Sequence, residues 1–445
     1  MATNVTRRLI TFGIAAYVAV LLVIGPVYAQ VLQDKWIRSG QKDIDQHRKV
    51  PLHVLVLDEA GRPAPLANLR IRMLRHSFAF GVELDPQQFA ADRWPGPEAM
   101  EQPIWRCLSA VSLRRAGDWS SIEPTRGDRE FERIDAMLTW AAVHGMRARW
   151  GGVIGCDPGK LPPWAASMRG FSFQQALEAQ STAVLTRFGR RVSDFDLLTD
   201  ALTYDVVADR LGDVMVRRLY QQAQADAPTA RLCVGFNDCL ESDRLRAMIR
   251  RVNQLRQNFV PVGALAIEVS FHDAVQQGQL DAALRLMVQL NTPVVISCLQ
   301  VGGDSPAQAA INLEIVLRTL FASPIVQGIY LRGIDAQSLD DPSAALVDAD
   351  GQPNAAGRSY EGLVRNQWWT DTTLRTDELG NVRTAVFAGW YELSVALGAD
   401  EDQVVRLRVL VDGDEDQEAI VLQPVKRSDE IDLRPLPGRA EPAGR

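Results

Sequence analysis

The sequence is poor in histidine and cysteine, and neither residue type is grouped. The 445 residues include five histidines and five cysteines. No C-x-x-C or H-E-x-x-H spacing occurs, so the sequence predicts no metal site, and we expect no cofactor. The odd number of cysteines argues against a complete disulfide framework, although a single bridge remains open. The cysteines are Cys107, Cys156, Cys233, Cys239 and Cys298.

Basic tracts are also absent from the chain. The formal net charge is −7, and lysine and arginine are dispersed along the sequence. Nucleic-acid binding requires clustered cations that neutralise phosphates. We therefore expect no nucleic-acid partner.

Charged residues are missing from one long apolar stretch near the N-terminus, residues 9–29. As a helix with a rise of about 1.5 Å per residue, it would span about 30 Å, the thickness of a bilayer core. Arg7 and Arg8 precede it, which predicts a single-pass inner-membrane protein with the following chain on the periplasmic or extracellular side. The alternative is a signal peptide cleaved before Gln30, which would give a secreted protein. The length of the run favours the uncleaved anchor.

The flanks of the remaining chain have β-strand character. Residues 30–49 are polar and are interpreted as a stalk, whereas alternating apolar residues in 50–75 predict a β-hairpin. Residues 366–433 again alternate and predict a C-terminal β-module that joins the hairpin in one accessory unit. The tail, residues 434–445, is rich in proline, arginine and glycine and is predicted to be disordered.

The central segment, residues 76–365, alternates short apolar runs with amphipathic stretches. Eight such alternations predict an α/β fold, a (β/α)8 TIM barrel with a closed parallel sheet. The apolar runs are 78–82, 110–113, 146–154, 195–198, 232–236, 264–271, 293–301 and 326–334.

Several segments of this region together resemble glycoside hydrolase family 10, the family of endo-β-1,4-xylanases. They are RHSFAFG (75–81), WSSIEPTRG (119–127), HGMRAR (144–149), LPPW (161–164), FDLLTDAL (195–202), FND (236–238) and PVVISCLQ (293–300). Their order and spacing match the family pattern from the first to the seventh barrel strand. The resemblance implies a retaining glycosidase scaffold, in which two glutamates act at the ends of strands four and seven.

The resemblance places Asp200 at the family's acid/base position and Cys298 at its nucleophile position. Neither is the family's glutamate, so we predict that the catalytic carboxylates have been replaced. Further positions that would hold sugar hydroxyls or support the catalytic pair have also changed, which leaves few groups suited to bind sugar. The possible cleft residues are Arg114, Arg115, Asp118, Thr199, Asn237, Glu268, Ser270 and Arg332.

Three functions are compatible with this pattern. The leading hypothesis is a non-catalytic, membrane-anchored barrel that acts as a structural or binding subunit, with protein partners in a larger membrane complex. The second is a divergent hydrolase of β-1,4-xylan-type polysaccharide with Asp200 as the acid/base. The third is a carbohydrate-binding protein without turnover. Fold alone does not decide among them.

Overall fold

The computed structural model describes residues 36–90, 100–397, 403–413 and 419–424. The chain divides into two compact units. The first contains Phe78–Trp368 together with the described residues that precede Lys49, and the second contains Lys49–Ser77 and the chain from Trp369 onward.

The strands and helices follow one another along the chain with short connections. The strands are β1 (Lys49–Val56), β2 (Asn68–His76), β3 (Ala79–Glu83), β4 (Ala110–Ser112), β5 (Arg147–Gly155), β6 (Asp194–Thr199), β7 (Arg231–Asn237), β8 (Ala264–Phe271), β9 (Val294–Val301), β10 (Val326–Leu331), β11 (Asp371–Arg375), β12 (Asn381–Phe387), β13 (Gly389–Leu397), β14 (Gln403–Val411) and β15 (Ile420–Leu422). The α-helices are α1 (residues 36–48), α2 (Pro86–Ala90), α3 (Pro103–Arg106), α4 (Trp119–Ile122), α5 (Glu132–Val143), α6 (Pro163–Ala166), α7 (Gly170–Phe188), α8 (Val206–Leu211), α9 (Asp213–Asp226), α10 (Ser242–Gln257), α11 (Gln277–Val288), α12 (Pro306–Ala322) and α13 (Ala355–Glu361). Short 3-10 turns occur at Pro158–Lys160 and Pro342–Ala344, and a π-helical segment at Gly362–Gln367.

The eight strands β3 to β10 form a closed parallel barrel in chain order. β10 closes the ring by pairing with β3, with Gly328 opposite Ala79. Each strand coincides with one of the eight apolar runs, and in β9 all eight residues are buried. Parallel barrel strands are covered on both sides, by the barrel interior and by the helices, so they read as continuous apolar runs. The predicted (β/α)8 barrel is thereby confirmed.

The helices around the barrel bury one apolar face each. In α5 the residues that follow the i, i+3, i+4, i+7 pattern are the buried ones, among them Ile134 and Met137. α12 begins after Ser305, whose hydroxyl accepts a hydrogen bond of 3.2 Å from the backbone N–H of Gln308. Pro306 occupies the first helical position, where no backbone donor is needed.

A buried ion pair crosses the barrel interior between β5 and β6. The Arg149 guanidinium donates a hydrogen bond to Asp196, and its charge lies 5.1 Å from the centre of the Tyr330 ring. Burial raises the pKa of Asp196 to about 6, although the charge of Arg149 acts in the opposite direction. This pair lies on the strands that lead to the C-terminal mouth of the barrel.

The second unit contains two β-sheets. Their strand orders are β12-β1-β15 and β11-β2-β13-β14, so N-terminal and C-terminal flanks share each sheet, as the predicted accessory unit requires. The hairpin expected over residues 50–75 is not formed, because β1 and β2 lie in different sheets. Only an isolated bridge between Leu57 and Pro63 joins the two segments. The alternating pattern specifies a strand and its buried face but not its pairing partner.

The described N-terminal residues form α1, which ends against the barrel. The Arg48 side chain donates hydrogen bonds of 2.7 and 2.8 Å to the carbonyl oxygens of Phe321 and Val326. Residues 36–48 fall within the segment interpreted as a stalk, and they are helical. The predicted anchor, residues 9–29, and the predicted tail, 434–445, lie outside the described residues. No helix in the described part of the chain is long and apolar enough to cross a membrane.

Candidate functional site in the barrel mouth

The predicted site residues lie at or just beyond the C-terminal ends of the barrel strands, the end at which TIM barrels carry their active sites. Thr199 and Asn237 are the last residues of β6 and β7, and Arg332 directly follows β10. Ion pairs and hydrogen bonds connect most of these residues into one network.

Asp200 is held by two side chains from neighbouring strand ends. One carboxylate oxygen accepts from the Lys160 ammonium and the other from the Asn237 amide. Its backbone has a φ of 59°, in the left-handed region that non-glycine residues seldom adopt. The sequence suggested Arg114, Arg115 or Arg332 as the partner of Asp200, which is wrong. The partner is Lys160, from the loop after β5.

Cys298 lies on β9 and is 5% exposed. Its sulfur is 3.9 Å from Oε2 of Glu83 and accepts a hydrogen bond of 3.7 Å from the Arg332 guanidinium. The sequence reading assumed no cation near this thiol, and Arg332 corrects that. Burial nevertheless raises the pKa of Cys298 to about 12, since Glu83 also opposes the thiolate. The sulfur is therefore a neutral thiol at physiological pH.

Two adjacent arginines after β4 occupy the centre of the mouth. Arg114 binds both carboxylate oxygens of Glu268, at 2.6 and 2.5 Å. Arg115 donates to Oε1 of Glu83 at 2.6 Å, and Oε2 of the same carboxylate lies 3.9 Å from Arg114. Glu83 is almost fully buried, so both arginines are needed to compensate its charge.

Asp118 is the one acid of this group with an unusual protonation. It precedes α4 and faces Gly152, where a Cβ would come within 2.9 Å of the Asp118 carboxylate oxygen. Gly152 has a φ of 92°, so the close approach depends on glycine. Burial raises the pKa of Asp118 to about 7, against the opposing charges of Arg114 and Lys160.

Ser270 is not part of this network. It is exposed near the end of β8, and the neighbouring His272 accepts or donates a hydrogen bond of 2.8 Å with Asp341. No group of three histidine, cysteine or acidic side chains in the described ranges could hold a metal ion. All five cysteines are buried free thiols, so the bridge that the sequence left open is not formed.

Comparison with known proteins identifies the family. The sequence profile described as Glycosyl hydrolase family 10 matches residues 72–361, more than half of the chain. The chain belongs to glycosyl hydrolase family 10. The resemblance noted in the sequence is thereby confirmed.

The curated relatives of this family 10 chain include both a regulator and hydrolases. The anti-sigma-I factor RsgI6 of Acetivibrio thermocellus is 23% identical over 366 residues, which are 82% of this chain and 47% of that protein. Endo-1,4-beta-xylanase 2 of Arabidopsis thaliana is 23% identical over 370 residues, 80% of this chain and 33% of that protein. The chain thus spans about half or less of the length of these relatives.

Solved family 10 structures share the fold. Xylanase 10B from Thermotoga petrophila RKU-1, in complex with xylobiose, aligns with a TM-score of 0.56 and 14% identity, covering 66% of this chain and 95% of that one. The family 10 protein from Paenibacillus barcinonensis aligns with a TM-score of 0.56 and 16% identity, covering 65% and 95%. At this identity the similarity concerns the barrel architecture.

Sequence reasoning missed two members of the mouth network, Glu83 and Lys160. Glu83 had a detectable signal, since it is a charged residue directly after the first apolar run, where a barrel strand ends. Lys160 gave no comparable signal, because it lies in a loop whose position depends on the 3-10 turn at Pro158–Lys160.

Proposed function

We propose that this chain is a non-hydrolytic member of family 10 that acts as a binding or structural subunit. In this proposal, residues 9–29 anchor it in the inner membrane and the barrel lies on the periplasmic or extracellular side. The observation that carries the proposal is the state of the two positions at which the family places its catalytic carboxylates.

The nucleophile position has no carboxylate. Double displacement requires a carboxylate that attacks the anomeric carbon, about 5–5.5 Å from the acid/base. The side chain at this position is the Cys298 thiol, whose pKa is raised to about 12 by burial. A neutral thiol packed between Glu83 and Arg332 has neither the charge nor the freedom to attack.

The acid/base position is a carboxylate that is already engaged. Asp200 accepts hydrogen bonds from Lys160 and Asn237, so both of its oxygens act as acceptors. A general acid must instead hold a proton and direct it at the leaving oxygen. Its side chain is also one methylene shorter than glutamate, and a displacement of about 1 Å can reduce a rate about a hundredfold.

The other acids of the mouth do not supply a substitute pair. A new pair of Glu268 and Asp200 was an open alternative at the sequence level. Both oxygens of Glu268 are bound by Arg114, so a sugar would have to displace a bidentate ion pair to reach it. The name of the Acetivibrio relative, an anti-sigma-I factor, also favours a regulatory or binding role over hydrolysis.

The xylanase names of several relatives favour a second candidate, a divergent hydrolase of β-1,4-xylan with Asp200 as the acid/base. The test is an assay of the purified full chain, in mild detergent, on aryl β-xylosides and on xylan. We expect no turnover above that of Asp200→Asn. Turnover that disappears in Asp200→Asn would overturn the proposal.

A reconstructed pair sharpens this test. Asp200→Glu combined with Cys298→Glu restores the family residue types but should not restore hydrolysis. A carboxylate at position 298 would face Glu83, and the arginines would still fill the cleft. Robust activity of this double variant would contradict the claim that the surrounding residues, as well as the catalytic pair, have lost the function.

A further inference from the structure

A pocket separate from the ion-pair network opens between the loops that follow β7 and β8. Its volume is about 410 Å³, within the range of ligand pockets. Val269 and Leu280 form a buried apolar floor, and Phe271 is half-buried beside them. We call this the loop pocket. Its lining residues used below are Asp238, Glu241, Val269, Phe271, Asp273 and Leu280.

Three carboxylates line the loop pocket, those of Asp238, Glu241 and Asp273. None of them forms an ion pair with a cation of the described chain. Arg244 lies close, but its guanidinium donates to the backbone carbonyl oxygens of Asn237 and Asp238.

The arrangement differs from that of the neighbouring network. Glu83, Glu268 and Asp200 each contact an arginine or lysine of the chain itself. His272, the ionisable base of the loop pocket, is already paired with Asp341. The loop pocket therefore presents uncompensated negative charge around an apolar floor, so its complement is a cation with an apolar stem.

We propose that the loop pocket binds an arginine side chain of a protein partner. The methylene stem would cover Val269 and Leu280, and the guanidinium would meet the three carboxylates. Phe271 favours arginine over lysine, because a planar guanidinium stacks on an aromatic ring. This inference rests on the proposed binding role and adds the chemical class of the partner residue.

The test measures binding of N-acetyl-Leu-Arg-amide to the full chain in detergent, by ligand-observed NMR and calorimetry. The matched probes are the Leu-Gln and Leu-Glu peptides of the same form. We expect the arginine peptide to bind at least tenfold more tightly than the glutamine peptide, and the glutamate peptide not to bind.

Two triple variants separate pocket binding from general attraction to an acidic protein. Asp238→Asn/Glu241→Gln/Asp273→Asn should weaken arginine-peptide binding at least tenfold. Glu130→Gln/Asp243→Asn/Asp304→Asn removes the same charge from exposed sites outside the loop pocket and should leave binding unchanged. All six positions are exposed, so neither variant should unfold the barrel.

Equal binding of the arginine and glutamine peptides, or equal weakening by the two triple variants, would overturn the inference. Phe271→Ala gives a further check, since attraction by charge alone would not depend on this ring. The xylan assay reports on the proposed non-hydrolytic function, so failure of either idea is seen in a different measurement.

Discussion

Asp118 illustrates how a single substitution changes the electrostatics of the whole mouth. It lies close to Arg114 and Lys160, yet burial dominates and raises its pKa to about 7. An acid whose folded-state pKa is raised stabilises the fold when protonated. That contribution is complete below its ordinary pKa and is lost as the pH rises through about 7.

Asp118→Asn should therefore be more stable than the natural protein at pH 8, by up to about 4 kcal/mol, and similar to it at pH 4. The measurement is denaturant unfolding of both proteins across this pH range. Asp243→Asn, which changes an exposed acid, should show no such divergence. Parallel stability curves for Asp118→Asn and the natural protein would contradict the assignment.

Arg114 is the residue whose loss should cost most stability in the network. Arg114→Met keeps much of the side-chain volume but leaves Glu268 without its bidentate partner and Glu83 with Arg115 alone. Removing one member of a buried ion pair costs about 3–5 kcal/mol. Arg246→Met, which removes an exposed pair with Asp243, should cost less than about 1 kcal/mol. Equal unfolding midpoints for the two variants would show that Arg114 is not structurally required.

At the scale of elements, α1 connects the barrel to the segment upstream. Ile44 is fully buried, and Arg48 satisfies carbonyl groups at the end of α12 and on β10. Burial lowers the pKa of Arg48 to about 10, but the guanidinium remains charged at physiological pH. The hydrogen bonds of Arg48 fix the position of the helix end on the barrel.

Arg48→Gln should release α1 from the barrel and expose its backbone to proteolysis. Thermolysin is a suitable probe because it does not cleave after arginine, so the substitution itself creates or removes no site. We expect faster cleavage within residues 36–48 than in the natural protein. Arg38→Gln, which changes an exposed arginine of the same helix, serves as the control. Identical cleavage rates in both variants would indicate that α1 is held by other contacts.

The β-strands of the second unit show a different limit of local information. The alternation in β1 and β2 correctly marks their buried residues, such as Val54 and Ile71. Pairing in these sheets joins residues about three hundred positions apart, for example Leu52 with Thr384. A turn at the end of β1 suggested a hairpin, but the extra strands from the C-terminal flank provided other partners.

At the scale of the molecule, the proposed anchor and the proposed binding role make a joint prediction. The full chain should fractionate with the membrane, resist a carbonate wash, and migrate in mild detergent as part of a larger assembly. A chain lacking residues 1–29 should appear in the soluble fraction. A full-length protein that always migrates alone would count against a role in a membrane complex, without affecting the assignment to the family.

The sequence by itself determined the barrel, the family and the changed strand-end residues. Eight apolar runs were sufficient because burial of parallel strands and helix faces is encoded locally. Only the tertiary structure decided which charges meet. Arg114 and Glu268 are 154 positions apart, and Asp200 pairs with Lys160 instead of an arginine. Such contacts depend on which strands are neighbours in the closed ring and on where each loop places its side chains, and neither is encoded in a local pattern.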